Sequence, residues 1–155
     1  MRNAYFSLGS NIGDRGAYLR EGVRLVAAGE DYRVSSVFET APWGGVEQDN
    51  FWNLVLEVTT ALPTDALFQR AQAAEAAADR QRVVHWGPRT LDVDVLLVGH
   101  EEVERPDLVI PHPRMWQRRF VLAPLAELRS DLVTEALLAM AEGEVTLLGR
   151  LETLH

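Results

Sequence analysis

The 155-residue chain has no cysteine, which excludes disulfides, thiolate nucleophiles and cysteine-ligated zinc or iron–sulfur centres. Any metal must sit on oxygen or imidazole. Lysine is also absent: all 15 Lys/Arg positions are arginine, so neither a Schiff base nor a phosphate loop that relies on lysine can form. A phosphate clamp has to be built from guanidinium groups. No apolar run approaches the roughly 20 residues that cross a bilayer, and Met1-Arg2-Asn3-Ala4-Tyr5-Phe6 lacks the apolar stretch and cleavage site of a signal peptide. A cytoplasmic location is expected. The formal net charge of −8 repels nucleic acid and anionic membranes, so an anionic ligand needs a local arginine cluster or bound cations. With 47% apolar residues in a chain of ordinary domain length, the expectation is one domain over residues 1–155. It is expected to be a monomer, because no heptad pattern or long exposed apolar stretch is evident.

What is present is a run of short periodic segments. Ala4, Phe6 and Leu8 alternate with Tyr5 and Ser7, a first strand ending at Gly9. Gly9-Ser10-Asn11-Ile12-Gly13-Asp14 reads as a strand-to-helix turn, its glycines supplying tight backbone angles and Asp or Asn an N-cap. It matches no phosphate-loop pattern. Leu19, Val23, Val26 and Ala27 carry a helix to Gly29, and Tyr32 to Phe38 reads as a second strand. In a third strand, Phe51 to Thr59, Trp52, Leu54, Leu56 and Val58 point to the core, while Phe51, Asn53, Val55 and Glu57 point away from it. Pro63-Thr64-Asp65 opens a helix with Leu67, Ala71, Ala74 and Ala78 on one face, ending near Arg80. Leu91 to Val98 is a fourth strand, then a turn at Gly99-His100 and a short returning strand near Val103. The prolines at 106, 111, 113 and 124 predict irregular chain, with two short helices around Met115 to Phe120 and Thr134 to Ala141. The order βαββαβ is that of a ferredoxin-like split βαβ: an α+β sandwich, an antiparallel sheet with helices packed on one face, and extra C-terminal helices.

Three constellations carry chemistry. Asp92 and Asp94 share a strand face about 6.6 Å apart, where two carboxylates can hold a pair of cations. Taken alone, the pair reads first as an exposed strand face salt-bridged to arginines, since D-x-D is common. Its company alters that: Arg80, Arg82 and Arg89 precede it closely, around the rigid turn Trp86-Gly87-Pro88. Carboxylates for an octahedral metal beside guanidinium forks for oxygens are what a Mg²⁺–triphosphate complex requires. Phe51 and Asn53, after Thr40-Ala41-Pro42-Trp43-Gly44, suit a planar heterocycle, the ring stacking and the amide bonding its edge. Phe120, behind Arg118-Arg119, supplies either an opposite stacking face or ordinary core. His112 is bracketed by Pro111 and Pro113, which hold it extended, for a phosphate or metal contact or simply as a loop histidine.

Five segments together resemble the 6-hydroxymethyl-7,8-dihydropterin pyrophosphokinase family. They are Leu8-Gly9-Ser10-Asn11, Glu39-Thr40-Ala41-Pro42-Trp43-Gly44, Asn50-Phe51-Trp52-Asn53, Trp86-Gly87-Pro88-Arg89-Thr90-Leu91-Asp92-Val93-Asp94 and Ile110-Pro111-His112-Pro113-Arg114-Met115. The resemblance implies transfer of pyrophosphate from ATP to a pterin alcohol, releasing AMP, as a step of folate biosynthesis. It implies two Mg²⁺ ions on Asp92 and Asp94, with Arg80, Arg82, Arg89, His112 and Arg118 around the phosphates. Phe51 and Phe120 would sandwich the pterin, and Asn53, Trp86 and the chain from Thr40 through Ala41 and Pro42 to Trp43 would complete its pocket. Gln72 and Glu75 correspond to ATP contacts, and Val95, Val109 and Ile110 to the surroundings of adenine. Val83-Val84-His85 is one residue shorter than the family loop, and His85 and Asp107 stand where relatives can carry arginine. The competing class is a ferredoxin-like regulatory module that binds a small ligand and performs no chemistry.

Overall fold

The structure, a computed structural model, describes residues 1–41, 49–79 and 90–154. Strand β1 (Arg2–Ser10) leads through Gly13, at φ 67°, into helix α1 (Arg15–Ala27). Asp14 caps α1, its side chain accepting the Ala17 N–H at 3.0 Å, which satisfies one of the orphan donors of the first turn. The predicted second strand is two strands, β2 (Tyr32–Val34) and β3 (Val37–Thr40), both antiparallel to β4 (Phe51–Thr60). Ser35 and Ser36 interrupt them. The Ser35 hydroxyl accepts the Val55 N–H at 2.9 Å and donates to Ser36 O, so a side chain stands in the ladder and splits the strand.

Helix α2 (Thr64–Asp79) and β5 (Asp92–Val98) complete the split βαβ as predicted. The sheet order β5-β1-β4-β3-β8, with β2 also on β4, places β1 and β4 in the middle. This is the ferredoxin-like arrangement. After β5 the chain departs from expectation. The short strand near Val103, β6 (Val103–Arg105), returns not onto β5 but onto β7 (Leu108–Ile110) as a separate hairpin. Met115–Gln117 is one 3-10 turn, and a longer helix α3 (Arg119–Leu128) follows, with Pro124 inside it. Proline there forfeits one helix hydrogen bond, and the residue is buried, as are Val121, Leu122 and Leu125 of the same helix. Helix α4 (Glu135–Met140) has Thr134 as N-cap, and an unpredicted strand β8 (Val145–Gly149) joins the edge of the sheet at β3.

Two cores result. Phe6, Leu8, Leu54 and Leu56 meet Leu19, Val23, Leu67 and Ala71 of α1 and α2 on the predicted face. Tyr5, Val55 and Leu96 meet Met115, Val121, Leu122 and Leu125 on the other. Helices therefore cover both faces: the C-terminal segment supplies a second layer that alternation in β4 does not reveal, because a residue that points away from one core can point into another. Each fully buried Leu or Phe contributes about 1.5–3 kcal/mol.

Candidate functional site

Strand pairing brings the site together. Gly9 lies opposite Asn53 on β4 and Asp92 on β5, and Ser7 opposite Asp94. Across three adjacent strands these residues share the face that α3 covers further along. Where α3 begins, the cover stops, and a cavity of about 140 Å³ opens, lined by Ser7, Gly9, Thr40, Ala41, Phe51, Asn53, Asp92, Asp94, Arg118 and Phe120. Eight of these ten are residues singled out from the sequence. Both candidate stacking rings, the candidate edge-binding amide and both candidate metal carboxylates line one space.

Asn53 is held within it. Its Nδ2 donates to Thr40 Oγ1 at 3.0 Å, and the side chain is 4% exposed. Its Oδ1 lies where a Cβ on Gly9 would come within 2.7 Å. Gly9 lies in β1, as the strand expected to end there requires, but the glycine serves the close approach of Asn53 and not a tight turn. Ser7 and Gly9 were missed as cavity residues. The available signal was a small residue at alternate positions of an interior strand, on the face opposite Phe6 and Leu8. The turn after β1 anchors a neighbouring segment: Asn11 Nδ2 donates to Asp49 O at 3.0 Å and Arg15 to Asn50 O at 2.8 Å. The Arg15 guanidinium also lies 4.6 Å over the Trp52 ring, whose Nε1 donates to Glu39.

A second cavity is lined by Phe68, Val93, Asp94, Val95, Pro106, Asp107, Leu108, Val109, His112 and Pro113. Asp94 belongs to both. Of the residues proposed around a nucleotide, Val95, Val109 and His112 line this space. Ile110 is 2% exposed and packs in the first core. Gln72 is exposed on α2 and lines neither cavity. Glu75 accepts the Val93 N–H at 2.8 Å, so it covers a backbone donor of the edge strand β5. Arg118 lies over the Phe120 ring at 5.6 Å. Pro42, Trp43, Arg80, Arg82, Trp86 and Arg89 fall outside the described residues, as does the Val83-Val84-His85 loop.

His112 is fixed through its backbone, its N–H donating to Leu96 O at 3.0 Å, while its Nδ1 accepts the Arg114 N–H at 3.3 Å. Burial pushes its pKa below the ordinary 6.5, Asp94 opposing that shift and Arg118 and Arg114 adding to it. The ring is neutral at pH 7, and with Nδ1 accepting, its Nε2 carries the proton. It offers a donor to an anion without a full charge. Among the described residues no third His, Asp or Glu joins Asp92 and Asp94 in a metal-binding group. That donor set fits Mg²⁺, which takes one or two carboxylates and completes its octahedron with phosphate oxygens and water.

Residues 5–130 match the family described as 7,8-dihydro-6-hydroxymethylpterin-pyrophosphokinase (HPPK). The chain is 46% identical over 144 residues to the 2-amino-4-hydroxy-6-hydroxymethyldihydropteridine pyrophosphokinase of Bacillus subtilis, covering 91% of this chain and 86% of that one. It is 43% identical over 136 residues to the protein of the same name from Methylorubrum extorquens, with 86% of each chain covered. Among solved structures, an HPPK-DHPS in complex with substrates superposes with a TM-score of 0.57 at 11% identity, over 82% of this chain and 40% of that one. That last likeness concerns the fold.

Proposed function

This chain belongs to the 7,8-dihydro-6-hydroxymethylpterin-pyrophosphokinase family, and we propose that its two cavities hold the two substrates of that reaction, a pterin alcohol and ATP, with Asp94 at their junction. The chain transfers pyrophosphate from ATP to 6-hydroxymethyl-7,8-dihydropterin, giving AMP and the pterin pyrophosphate. The observation that carries the site assignment is the shared lining: Asp92 and Asp94 face the same space as Phe51, Asn53 and Phe120. A regulatory module without chemistry has no use for that juxtaposition, and the family match gives it no support.

In this reading Phe51 and Phe120 stack on the two faces of the pterin, and Asn53, oriented by Thr40, bonds its edge. Adenine lies against Val95 and Val109 in the second cavity. The hydroxymethyl oxygen attacks the β-phosphorus in line as the bond to the α-phosphate oxygen breaks. Two Mg²⁺ ions on Asp92 and Asp94 would neutralise charge along the phosphates and lower the pKa of the attacking hydroxyl. Arg118 adds a guanidinium and His112 an Nε2–H donor to the phosphate oxygens. No side chain is assigned as general base. In a loose phosphoryl-transfer transition state, alignment and charge stabilisation carry the acceleration.

The test is the product formed from ATP, Mg²⁺ and hydroxymethyl-dihydropterin. AMP with a pyrophosphorylated pterin is expected; ADP would mean ordinary phosphoryl transfer, and no turnover would revive the binding-module reading. Asp94→Ala should abolish turnover and largely keep pterin affinity. Turnover at the wild-type rate in that variant would remove Asp94 from the metal site.

A further inference from the structure

In a chain with 23 acidic residues and arginine as its permanent cation, a guanidinium is readily matched. Among the described residues, ten of twelve arginines donate to a carboxylate or a backbone carbonyl. The two exceptions are Arg114 and Arg118. They stand four residues apart on either side of the Met115–Gln117 turn and line one cavity with Gln117, Phe120 and Glu142. Arg118 and Phe120 also line the pterin cavity, so the two spaces adjoin across that pair. Two guanidiniums that line one cavity without a carboxylate or carbonyl partner among the described residues, on a protein of net charge −8, form a local positive site against the overall field. Glu142 leaves that site with a formal charge of +1.

The backbone of Arg114 is pinned: its N–H donates to His112 Nδ1, and its carbonyl accepts the Gln117 N–H at 3.1 Å. Its side chain is exposed and free of protein partners among the described residues. A fixed base carrying an uncommitted guanidinium suits capture of a substrate anion, since no internal ion pair has to break first.

We propose that Arg114 is a further phosphate-binding residue of this enzyme, forming with Arg118 an outer clamp for the terminal phosphoryl group of ATP. The inference rests on the pyrophosphokinase reading. With adenine against Val95 and Val109 and the β-phosphorus in line with the acceptor, the terminal phosphoryl group branches sideways off the β-phosphorus, where the adjoining space at Arg118 can receive it. It is also the most highly charged part of ATP. After transfer it is the distal phosphate of the product, still within reach of the same clamp.

Calorimetric titration with Mg²⁺ and α,β-methylene-ATP, whose scissile bridge cannot be cleaved, tests this on wild type, Arg114→Ala and Arg114→Lys. ADP, which lacks the terminal phosphoryl group, is titrated in parallel. Arg114→Ala should weaken the ATP analogue by about tenfold, the loss of one charge-assisted hydrogen bond, and leave ADP within about twofold. Arg114→Lys should fall between, keeping the charge without the fork. Analogue affinity within about twofold of wild type in Arg114→Ala, or an equal loss for ADP, would overturn the assignment. If wild type binds no analogue, the pyrophosphokinase reading falls and this clamp with it; if wild type binds and Arg114→Ala matches it, the clamp alone falls.

Discussion

Asn53 meets two demands at once: Thr40 orients its amide nitrogen, and Gly9 makes room for its amide oxygen. Adding one methyl group at Gly9 would put a carbon 2.7 Å from that oxygen, far inside contact distance, and something must shift. In Gly9→Ala the amide is expected to move, raising the KM for the pterin alcohol by about tenfold with a smaller change in kcat, as loss of one oriented hydrogen bond implies. Steady-state kinetics would check it; an unchanged KM would mean that the amide does not touch the acceptor. Asp92, Asp94, Phe51 and Asn53 were legible as site candidates because two-residue strand spacing places reactive groups on one face. Ser7 and Gly9 were not, since small residues announce no chemistry and their use appears only when a neighbouring side chain fills the space they leave.

On the second face of the sheet, elements are joined by a polar cluster at Glu57, which points away from the first core and is nonetheless only 5% exposed. Arg33 on β2 donates twice to Glu57 on β4, at 2.7 and 2.9 Å; Tyr5 on β1 donates to it as well, and Arg129 after α3 donates to Tyr5 at 3.0 Å. The Arg33 hydrogen bonds hold the Glu57 carboxyl below its ordinary 4.5, against the opposing effect of burial. Because the folded value is depressed, this stabilisation is present above about pH 4.5 and is lost as pH falls through the folded value. Glu57→Gln should cost about 1–3 kcal/mol at pH 7 by urea denaturation. It should also flatten the decline of stability below pH 4.5. An equally steep acid decline in the variant would place the titrating group elsewhere. Helices α1 and α2 and strands β1, β4 and β5 were legible from period and caps. Helix α3 was obscured by Pro124 and the hairpin β6–β7 by three nearby prolines, because local proline rules compete with burial and burial prevails.

For the whole molecule, covering both faces of the sheet leaves large apolar side chains exposed only singly among the described residues, at Met1, Tyr32, Val109, Met140 and Leu147. A handful of exposed apolar side chains is ordinary for a protein surface and by itself calls for no partner. Sedimentation should therefore report a monomer at micromolar concentration; a concentration-dependent dimer would overturn that. No helix among the described residues is long and apolar enough to cross a membrane. The composition alone restricted the chemistry: without cysteine or lysine, metal binding falls to oxygen and imidazole ligands, and permanent positive charge on phosphates to arginine. Local periodicity determined most of the elements and which residues share a strand face. Only the tertiary structure decided the register that sets Asn53 and Asp92 on opposite sides of Gly9, and that Phe120 and Arg118 close the space from the entry to α3. Those are pairings between residues distant in sequence, selected by the burial of two sheet faces at once, and no short-range pattern encodes them.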